Sequence, residues 1–458
     1  MSPAGISIAL YALAIGLASG ANFLTAPLLL ALQGPVGLAR WGLVEPLILA
    51  LIPIAGFGIN FGIMHLLTGS DAPRRIIGRV WRYQIAAVSV TALVGAALAW
   101  HWFGGAIALL AAGIIAVEGA ITLFISYWRA CNQPIRFAAI EGGRAALVVL
   151  LLAIALLLPR NLVPDVQAYM ALRLGVGALA IAAGFALIRP IGGGDRVALR
   201  TAVHFGLPIV IASMLVALAT SIDRYILASA GASALMIGAY VAHVKLIQIL
   251  GSALAPFFTW FAPVAMRRLQ DGKAAHGFFV NSAFLFYAVN AALTLMLWFA
   301  APLLWEILFK KLDFDPTLFA LLLIGQAIFS LGNPVSIGTL RPGRTWLALM
   351  STAGMLIVTL VACFLFGRVW GAPGIAFGRL LGMVSYTLFL GGVTVHDLKI
   401  RFGWWRFVVI TALIGSVMAA TSPMLSPSPL NSAAMALAAL CLLSGLVWAI
   451  RPRGGTNA

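Results

Sequence analysis

The sequence predicts an all-α integral membrane protein, and three observations lead to that class. Hydrophobic residues make up 62% of the 458-residue chain, whereas charged residues make up only 9%. Apolar runs of about 20 residues, the length that crosses a bilayer as a helix, recur from one end of the chain to the other. Only short connectors separate these runs, so we expect one multi-pass unit without a folded soluble domain.

Apolar runs bounded by charged residues, Gly or Pro predict about fourteen transmembrane helices. The first six predicted spans are Ile6–Leu32, Trp41–Leu67, Tyr83–Trp102, Ala106–Tyr127, Phe137–Leu158 and Val166–Ile188. The next six are His204–Ile222, Ala234–Met266, Gly277–Phe309, Phe314–Leu340, Trp346–Phe366 and Ala372–Val395. The last two are Trp405–Thr421 and Leu430–Ile450.

An internal repeat organises these spans. A shift of about 199 residues superposes the run that begins near Ile6 on the run near His204, and Trp41 on Tyr240. Because each half has an even number of spans, the halves share one orientation and form a parallel pseudo-repeat. The expected domains are an N-terminal lobe at 1–200, a C-terminal lobe at 201–396, and two additional helices with a tail at 397–458.

The basic residues predict the orientation of the chain. Most Lys and Arg outside the spans fall in connectors that follow even-numbered spans, and the positive-inside rule places those connectors and both termini in the cytoplasm. The net charge of +17 therefore resides between membrane helices and not on a polar domain, which argues against nucleic-acid binding. The first apolar run is too long for the core of a cleaved signal, so we expect a retained helix.

Cysteine spacing and short motifs point away from metal sites and from enzyme chemistry. Cys131, Cys363 and Cys441 lie far apart, without the spacing of a zinc site or a disulfide framework. The sequence has no HExxH motif, no P-loop and no Ser/His/Asp spacing. We expect no catalytic residues, no metal and no cofactor, and we leave open a coupling to a proton or sodium gradient.

Four basic residues fall inside the apolar spans, where a charge that faces lipid costs several kcal/mol. They are Arg144, Arg173, Lys245 and Arg379. Something polar must meet them, and an anionic substrate is one such group. Lys245 lies about 12 residues from the outer end of its span, too deep to reach the interface easily. We rank it first as a substrate-binding cation, with an ion pair to a neighbouring helix as the alternative.

Arg173 and Arg379 lie on equivalent spans of the two halves, the sixth and the twelfth. That placement suits two cations that face one cavity, so both are candidates for substrate binding. Alternatively, each side chain reaches the outer headgroup layer with its long stem or pairs locally. We therefore rank both residues below Lys245.

A charge cluster is predicted in the first half of the chain. Glu141 precedes Arg144 by about one helical turn, and Glu118 lies at a similar depth in the fourth span. A structural ion pair is the simpler interpretation. The alternative is that Glu118 and Glu141 titrate and couple ion movement to transport. Glu45, by contrast, is expected at the membrane interface close to Arg40.

Two stretches of the second half carry a family signature. Residues 220–227 read Thr-Ser-Ile-Asp-Arg-Tyr-Ile-Leu, and residues 237–246 read Ile-Gly-Ala-Tyr-Val-Ala-His-Val-Lys-Leu. They resemble the central signature of the polysaccharide and O-antigen flippases, which share the multidrug/oligosaccharidyl-lipid/polysaccharide exporter superfamily with the multidrug extruders. Gly34-Pro35 and Trp41-Gly42-Leu43 are similar to the Gly-Pro and Tyr-Gly-Leu elements of that family.

The resemblance implies two six-helix lobes around a V-shaped central cavity that opens alternately to each side of the bacterial inner membrane. It implies that the cargo is an undecaprenyl-diphosphate-linked oligosaccharide, a repeat unit of O-antigen, lipopolysaccharide or exopolysaccharide. Lys245 matches a basic position that recurs after the family's Tyr. The expected partners are this lipid-linked substrate, membrane lipids, and a complex of glycan polymerase and glycosyltransferases.

The first span departs from two related families. It lacks the arginines that the lipid II flippases carry in their early helices, which disfavours a murein precursor as substrate. It also lacks the acid that many drug extruders carry there. Asn22 is its most polar residue and joins the substrate-binding candidates. The alternatives to a flippase are a cation-coupled exporter of small molecules, a polyprenol-linked sugar transferase or polymerase, and a scaffold for glycan assembly.

Overall fold

Long apolar helices form the architecture that the structure describes. The computed structural model describes residues 3–60, 63, 67, 73–159, 165–189, 196–269, 276–340, 344–425 and 428–450. Within those residues every regular element is helical, and thirteen helices are long and apolar enough to cross a bilayer. The prediction of an all-α, multi-pass membrane protein is confirmed.

The chain divides into two compact units, Met1–Ser221 and Ile222–Ala458. The α-helices of the first unit are α1 (Pro3–Leu51), α2 (Pro73–Phe103), α3 (Gly105–Ala130), α4 (Pro134–Ala155), α5 (Val166–Ile188) and α6 (Arg196–Ala219). Those of the second unit are α7 (Ile222–Ser229), α8 (Ala234–Arg268), α9 (His276–Leu308), α10 (Pro316–Val335), α11 (Thr345–Trp370), α12 (Ala372–Leu398), α13 (Trp404–Thr421) and α14 (Pro429–Ile450). The predicted boundaries of the lobes and the V-shaped cavity stay predictions.

Helix α1 joins the first two predicted spans through a break at Gly34. This residue has φ +70° and ψ −170°, a conformation that residues with a Cβ rarely adopt. Pro35 follows it, and a proline disfavours the helical conformation of the preceding residue. The apolar stretch Leu13–Gly56 has 44 residues, enough at about 1.5 Å per residue for two crossings of a core about 30 Å thick. If α1 is counted as two spans, the thirteen helices correspond to the fourteen predicted spans. Residues 61, 62 and 64–66 of the second predicted span lie outside the described residues.

We expect Gly34→Ala to lower the free energy of unfolding by about 1 kcal/mol, because alanine is strained at positive φ. Lack of space is not the cause, since a Cβ built at Gly34 meets no heavy atom within 4 Å. Gly20→Ala in the same helix is the matched control: its Cβ also meets nothing within 4 Å, and alanine favours the helix. Thermal unfolding in detergent measures both variants, and equal shifts for the two would contradict a strained break at Gly34.

Helix α3 is the centre of the first unit, where it contacts α1, α2, α4 and α5. A small residue lets its neighbours come close, because a Cβ on Gly119 would lie only 2.5 Å from the Cβ of Ala55. A buried polar bond joins the same region, as Gln84 of α2 donates its side-chain amide to the Gly119 carbonyl at 2.7 Å. This central position places Glu118 of α3 between α4 and α5.

In the second unit, α12 packs along α11 and also contacts α7 and α10. Asp315 caps the N-terminus of α10: its carboxylate accepts hydrogen bonds from the backbone N–H groups of Thr317 and Leu318 at 2.9 and 3.0 Å. His243 of α8 reaches the same point, because its Nε2 accepts the Asp315 backbone N–H at 3.1 Å. Its Nδ1 lies 2.7 Å from the Ala239 carbonyl. The ring is therefore the neutral tautomer with its proton on Nδ1, and it holds α8 beside the start of α10.

The last two helices join the second unit through α9. The hydroxyl groups of Tyr287 on α9 and Thr411 on α13 lie 2.6 Å apart. The indole N–H of Trp298 donates to the Thr421 hydroxyl at 3.0 Å. Such interhelical hydrogen bonds fix membrane helices to one another. Helix α14 also packs on α9, but only 11% of its apolar segment is buried.

Candidate functional site

The first unit contains a chain of four alternating charges within its spans. Glu118 of α3 binds two arginines: its Oε2 lies 2.5 Å from Nη1 of Arg144 on α4, and its Oε1 lies 3.1 Å from Nη2 of Arg173 on α5. Glu141 adds a contact of 2.9 Å between its Oε2 and Nη2 of Arg144. The cluster predicted from Glu118, Glu141 and Arg144 is therefore present. It also includes Arg173, which the sequence placed in a separate pair.

The surroundings of Arg173 hold its guanidinium in place. The group lies over the ring of Trp41, 5.7 Å from the ring centroid. Trp41 in turn packs edge-on against Tyr169 of α5, with ring centroids 4.8 Å apart. Glu45 is buried and lies near enough to interact electrostatically with Arg173. Glu45 is thus packed inside the protein, where a carboxylate needs a counter-charge and Arg173 supplies one; its expected depth at the membrane interface stays a prediction.

A small cavity lies beside these charges. It measures about 50 Å³, and Asn22 and Thr25 of α1 line it together with the four charged residues. That volume admits a few water molecules, whereas pockets for organic ligands measure about 300 Å³ or more. The side chains of Arg144 and Arg173 are 20% and 15% exposed, against 9% for that of Glu118. In the conformation shown, both guanidinium groups are therefore more accessible to water than the carboxylate between them.

The second unit holds a drier ion pair. Nη1 of Arg379 on α12 donates to Oδ2 of Asp223 on α7 at 2.7 Å. The hydroxyl of Tyr240 on α8 donates to the same oxygen at 2.7 Å, and the backbone N–H of Arg224 donates to Oδ1 at 2.8 Å. The side chain of Asp223 is 0% exposed and that of Arg379 is 5% exposed. Arg379 thus has almost no surface to offer a ligand in this conformation, and its predicted role in substrate binding stays a prediction.

Lys245 is enclosed as well. It is 2% exposed and takes part in a polar or electrostatic contact. Of the four cations predicted inside the spans, Arg144 and Arg173 keep the most accessible side chains. In this conformation Lys245 is therefore less accessible to a ligand than Arg144 and Arg173, and the order expected from sequence, in which Lys245 came first, stays a prediction.

Asp223 is the site residue that the apolar pattern did not reveal. The seventh span was expected to end at Ile222, which leaves Asp223 in a connector. In the structure α6 stops at Ala219, α7 resumes at Ile222, and the apolar stretch continues to Ser229. A signal for it was present, because Asp223 and Tyr240 fall in the two stretches that carry the flippase resemblance. The structure joins those stretches by a hydrogen bond.

Comparison with known proteins reveals a shared fold. No protein-family model and no curated protein sequence matches the chain. Among solved structures, the lipid II flippase MurJ in an inward closed conformation has a TM-score of 0.66 at 11% identity, covering 96% of this chain and 99% of its own. An outward-facing multidrug resistance MATE family transporter of the MOP superfamily has a TM-score of 0.61 at 14% identity, covering 89% and 96%.

A third similar structure is a MOP superfamily transporter from Pyrococcus furiosus, described by a reversed polarity of its binding pocket that suggests a different function. It has a TM-score of 0.55 at 13% identity and covers 88% of this chain and 96% of its own. All three likenesses extend over most of both chains. The protein therefore has the fold of the MOP superfamily transporters.

Proposed function

We propose that this protein is a flippase that moves an oligosaccharide on undecaprenyl diphosphate across the bacterial inner membrane by alternating access. One observation carries the proposal: Arg144 and Arg173, both bound to Glu118, line one polar cavity inside a membrane-spanning unit. Forked guanidinium donors suit phosphate oxygens, which they bind through two parallel hydrogen bonds. The likeness to a lipid II flippase in fold supports a lipid-linked cargo.

The ion pairs of the cluster give the arginines a partner between transport cycles. The described bonds of Arg144 use one N–H group at each of Nε, Nη1 and Nη2, so about two of its five donors are left for a further acceptor. An entering phosphate would compete with Glu118 and Glu141 for the arginines. The ion pairs between these carboxylates and the arginines would form again when the cargo leaves. Such an exchange lets a charged site release what it binds. Because the cavity is only about 50 Å³, cargo binding belongs to a more open conformation.

We propose Glu118 and Glu141 as the groups that couple ion movement to transport. When the arginines turn to a phosphate, the two carboxylates lose their counter-charges inside the membrane. An unpaired buried carboxylate is costly, so a proton or a sodium ion is expected to replace the arginine. Asn22, on the same cavity, offers an amide to either the cargo or the ion.

We place the protein in the inner membrane with both termini in the cytoplasm, as its basic connectors predict. It acts as a carrier and not as an enzyme. It would receive its cargo from glycosyltransferases that build the sugar unit on the cytoplasmic side. It would deliver the cargo to a glycan polymerase on the other side. Lys245 and Arg379 stay candidates for headgroup contacts in other conformations.

Deletion of the gene in its native host tests this function. We expect undecaprenyl-diphosphate-linked sugar units to accumulate on the cytoplasmic face and surface polysaccharide to decrease, and a plasmid copy of the gene to restore both.

A cation-coupled exporter of small molecules is the second candidate, since a MATE transporter shares the fold at a TM-score of 0.61. Altered drug resistance with unchanged glycan would favour that exporter over the flippase.

A further inference from the structure

A groove at one end of α11 and α12 has a chemistry that the transport proposal does not use. It measures about 400 Å³ and lies within the second unit. Arg344 and Trp346 line it from the start of α11, and Phe389, Val393 and His396 line it from the last turns of α12. Both elements contribute apolar and polar side chains, so the groove is amphipathic.

The polarity of the groove changes with depth. Only Gly371 separates α11 from α12, and the two helices pack along each other, so the start of α11 and the end of α12 share one membrane face. Phe389 and His396 lie about 10 Å apart along the axis of α12, at about 1.5 Å per residue. The inner end of the groove is therefore apolar, with Phe389 and Val393, whereas its mouth carries Arg344 and His396.

The mouth of the groove carries an ion pair with a half-exposed guanidinium. Nε of Arg344 lies 3.5 Å from Oδ2 of Asp397, whose side chain is 7% exposed, while the Arg344 side chain remains 48% exposed. The buried carboxylate thus contacts the guanidinium at Nε, while nearly half of the Arg344 side chain stays accessible. Nδ1 of the exposed His396 lies 3.0 Å from the other oxygen of Asp397. Lys399 and Arg401, both exposed, follow on the same face.

We propose that this groove binds one anionic phospholipid of the surrounding leaflet, with its phosphate at Arg344 and an acyl chain along Phe389 and Val393. The exposed guanidinium of Arg344, with Lys399 and Arg401 beside the groove, matches an anionic headgroup, and the apolar inner end matches the hydrocarbon chain. Trp346 is 48% exposed at the start of a membrane helix, a position typical of the interface where headgroups lie. The volume of about 400 Å³ falls in the range of small-molecule sites, about 300–1,000 Å³. The lipid site does not depend on which cargo the protein carries.

Native mass spectrometry of the purified full-length protein tests the site, in micelles that contain either phosphatidylglycerol or phosphatidylcholine. We expect one phosphatidylglycerol molecule to be retained in preference to phosphatidylcholine, and Arg344→Gln to weaken its binding about fivefold. Gly392→Leu should weaken it as well by filling the groove without a change of charge. A Cβ at Gly392 meets no heavy atom within 4 Å, and leucine favours a helix over glycine, so this variant should fold.

Arg401→Gln is the matched control, because it removes an exposed positive charge from the same face but not from the lining of the groove. Weaker binding in Arg344→Gln and Gly392→Leu, with wild-type binding in Arg401→Gln, would support the site. Equal weakening in all three variants would indicate diffuse attraction to the face, and unchanged binding in Gly392→Leu would show that the groove is not used. Either result would overturn the proposal, as would equal retention of the two lipids or displacement of the lipid by inorganic phosphate.

Discussion

Arg379→Met should lower the free energy of unfolding by about 3–5 kcal/mol, the cost of breaking a buried ion pair on one side. The substitution leaves the Asp223 carboxylate fully buried, with the Tyr240 hydroxyl and one backbone N–H as its described donors. Two neutral hydrogen bonds do not compensate a buried negative charge that has lost its cation. The variant should therefore unfold at a clearly lower temperature, or be depleted from the membrane.

Thermal unfolding in detergent measures this shift, with the monodisperse peak in size-exclusion chromatography as the readout of folded protein. Arg368→Met is the matched control: Arg368 is exposed at the end of α11, 3.9 Å from the ring centroid of Phe364, and its loss should cost about 1 kcal/mol or less. Adding Asp223→Asn to Arg379→Met removes the orphaned charge and should recover part of the stability. Equal shifts for Arg379→Met and Arg368→Met would contradict a structural ion pair.

The double variant also separates structure from cargo binding at Arg379. If it regains stability and still exports glycan, the arginine serves mainly to neutralise Asp223. If it regains stability but exports none, the prediction that Arg379 binds the headgroup is supported. Surface polysaccharide per cell, normalised to the amount of protein in the membrane, distinguishes the two outcomes.

Arg173→Gln should have the largest effect on transport, a loss of at least about tenfold in the rate of glycan export. A hydrogen bond to a charged group contributes about 1.5–3 kcal/mol, which corresponds to that factor or more. Arg173→Lys keeps the charge but loses the paired Nε and Nη2 donors that now bind Glu118. It should therefore retain only part of the activity. Export of surface polysaccharide at matched protein levels is the measurement.

Arg136→Gln is the control for Arg173→Gln. Arg136 is exposed in the first turn of α4 and bonds to the side chain of Gln133 at 3.0 Å, outside the charge cluster. Its substitution removes the same charge without touching the cavity, so export should stay at the wild-type level. Wild-type export in Arg173→Gln would remove this arginine from the cargo site.

The transmembrane helices could be predicted closely, because bilayer thickness fixes their length and flanking charges or breakers mark their ends. The ninth span was expected at Gly277–Phe309, and the structure has a helix at His276–Leu308. The Gly34-Pro35 pair likewise marked the break between the first two spans. An ion pair within one helix could also be predicted, since Glu141 and Arg144 lie within one turn and do form one.

The closeness of Glu118 and Arg144 was expected from their similar depth, but two other pairs distant in sequence could not be predicted, because they depend on how the helices pack. Arg379 and Asp223 are 156 positions apart, and Arg173 and Glu118 are 55 apart, so neither pair follows from spacing along one helix. The depth of Lys245 was inferred from its position in a span, but depth in the membrane does not distinguish a cavity from a packed interior. Its burial follows from the helices around α8, which a single sequence does not display.

The most direct test of the flippase proposal is a flipping assay with purified protein in proteoliposomes that contain a fluorescently labelled, undecaprenyl-diphosphate-linked oligosaccharide. Accessibility of the label to an external quencher reports the leaflet in which the cargo lies. We expect wild-type protein to equilibrate the cargo between leaflets at least about tenfold faster than Arg173→Gln, whose rate should approach that of protein-free liposomes. Equal rates for wild-type protein and protein-free liposomes would contradict it.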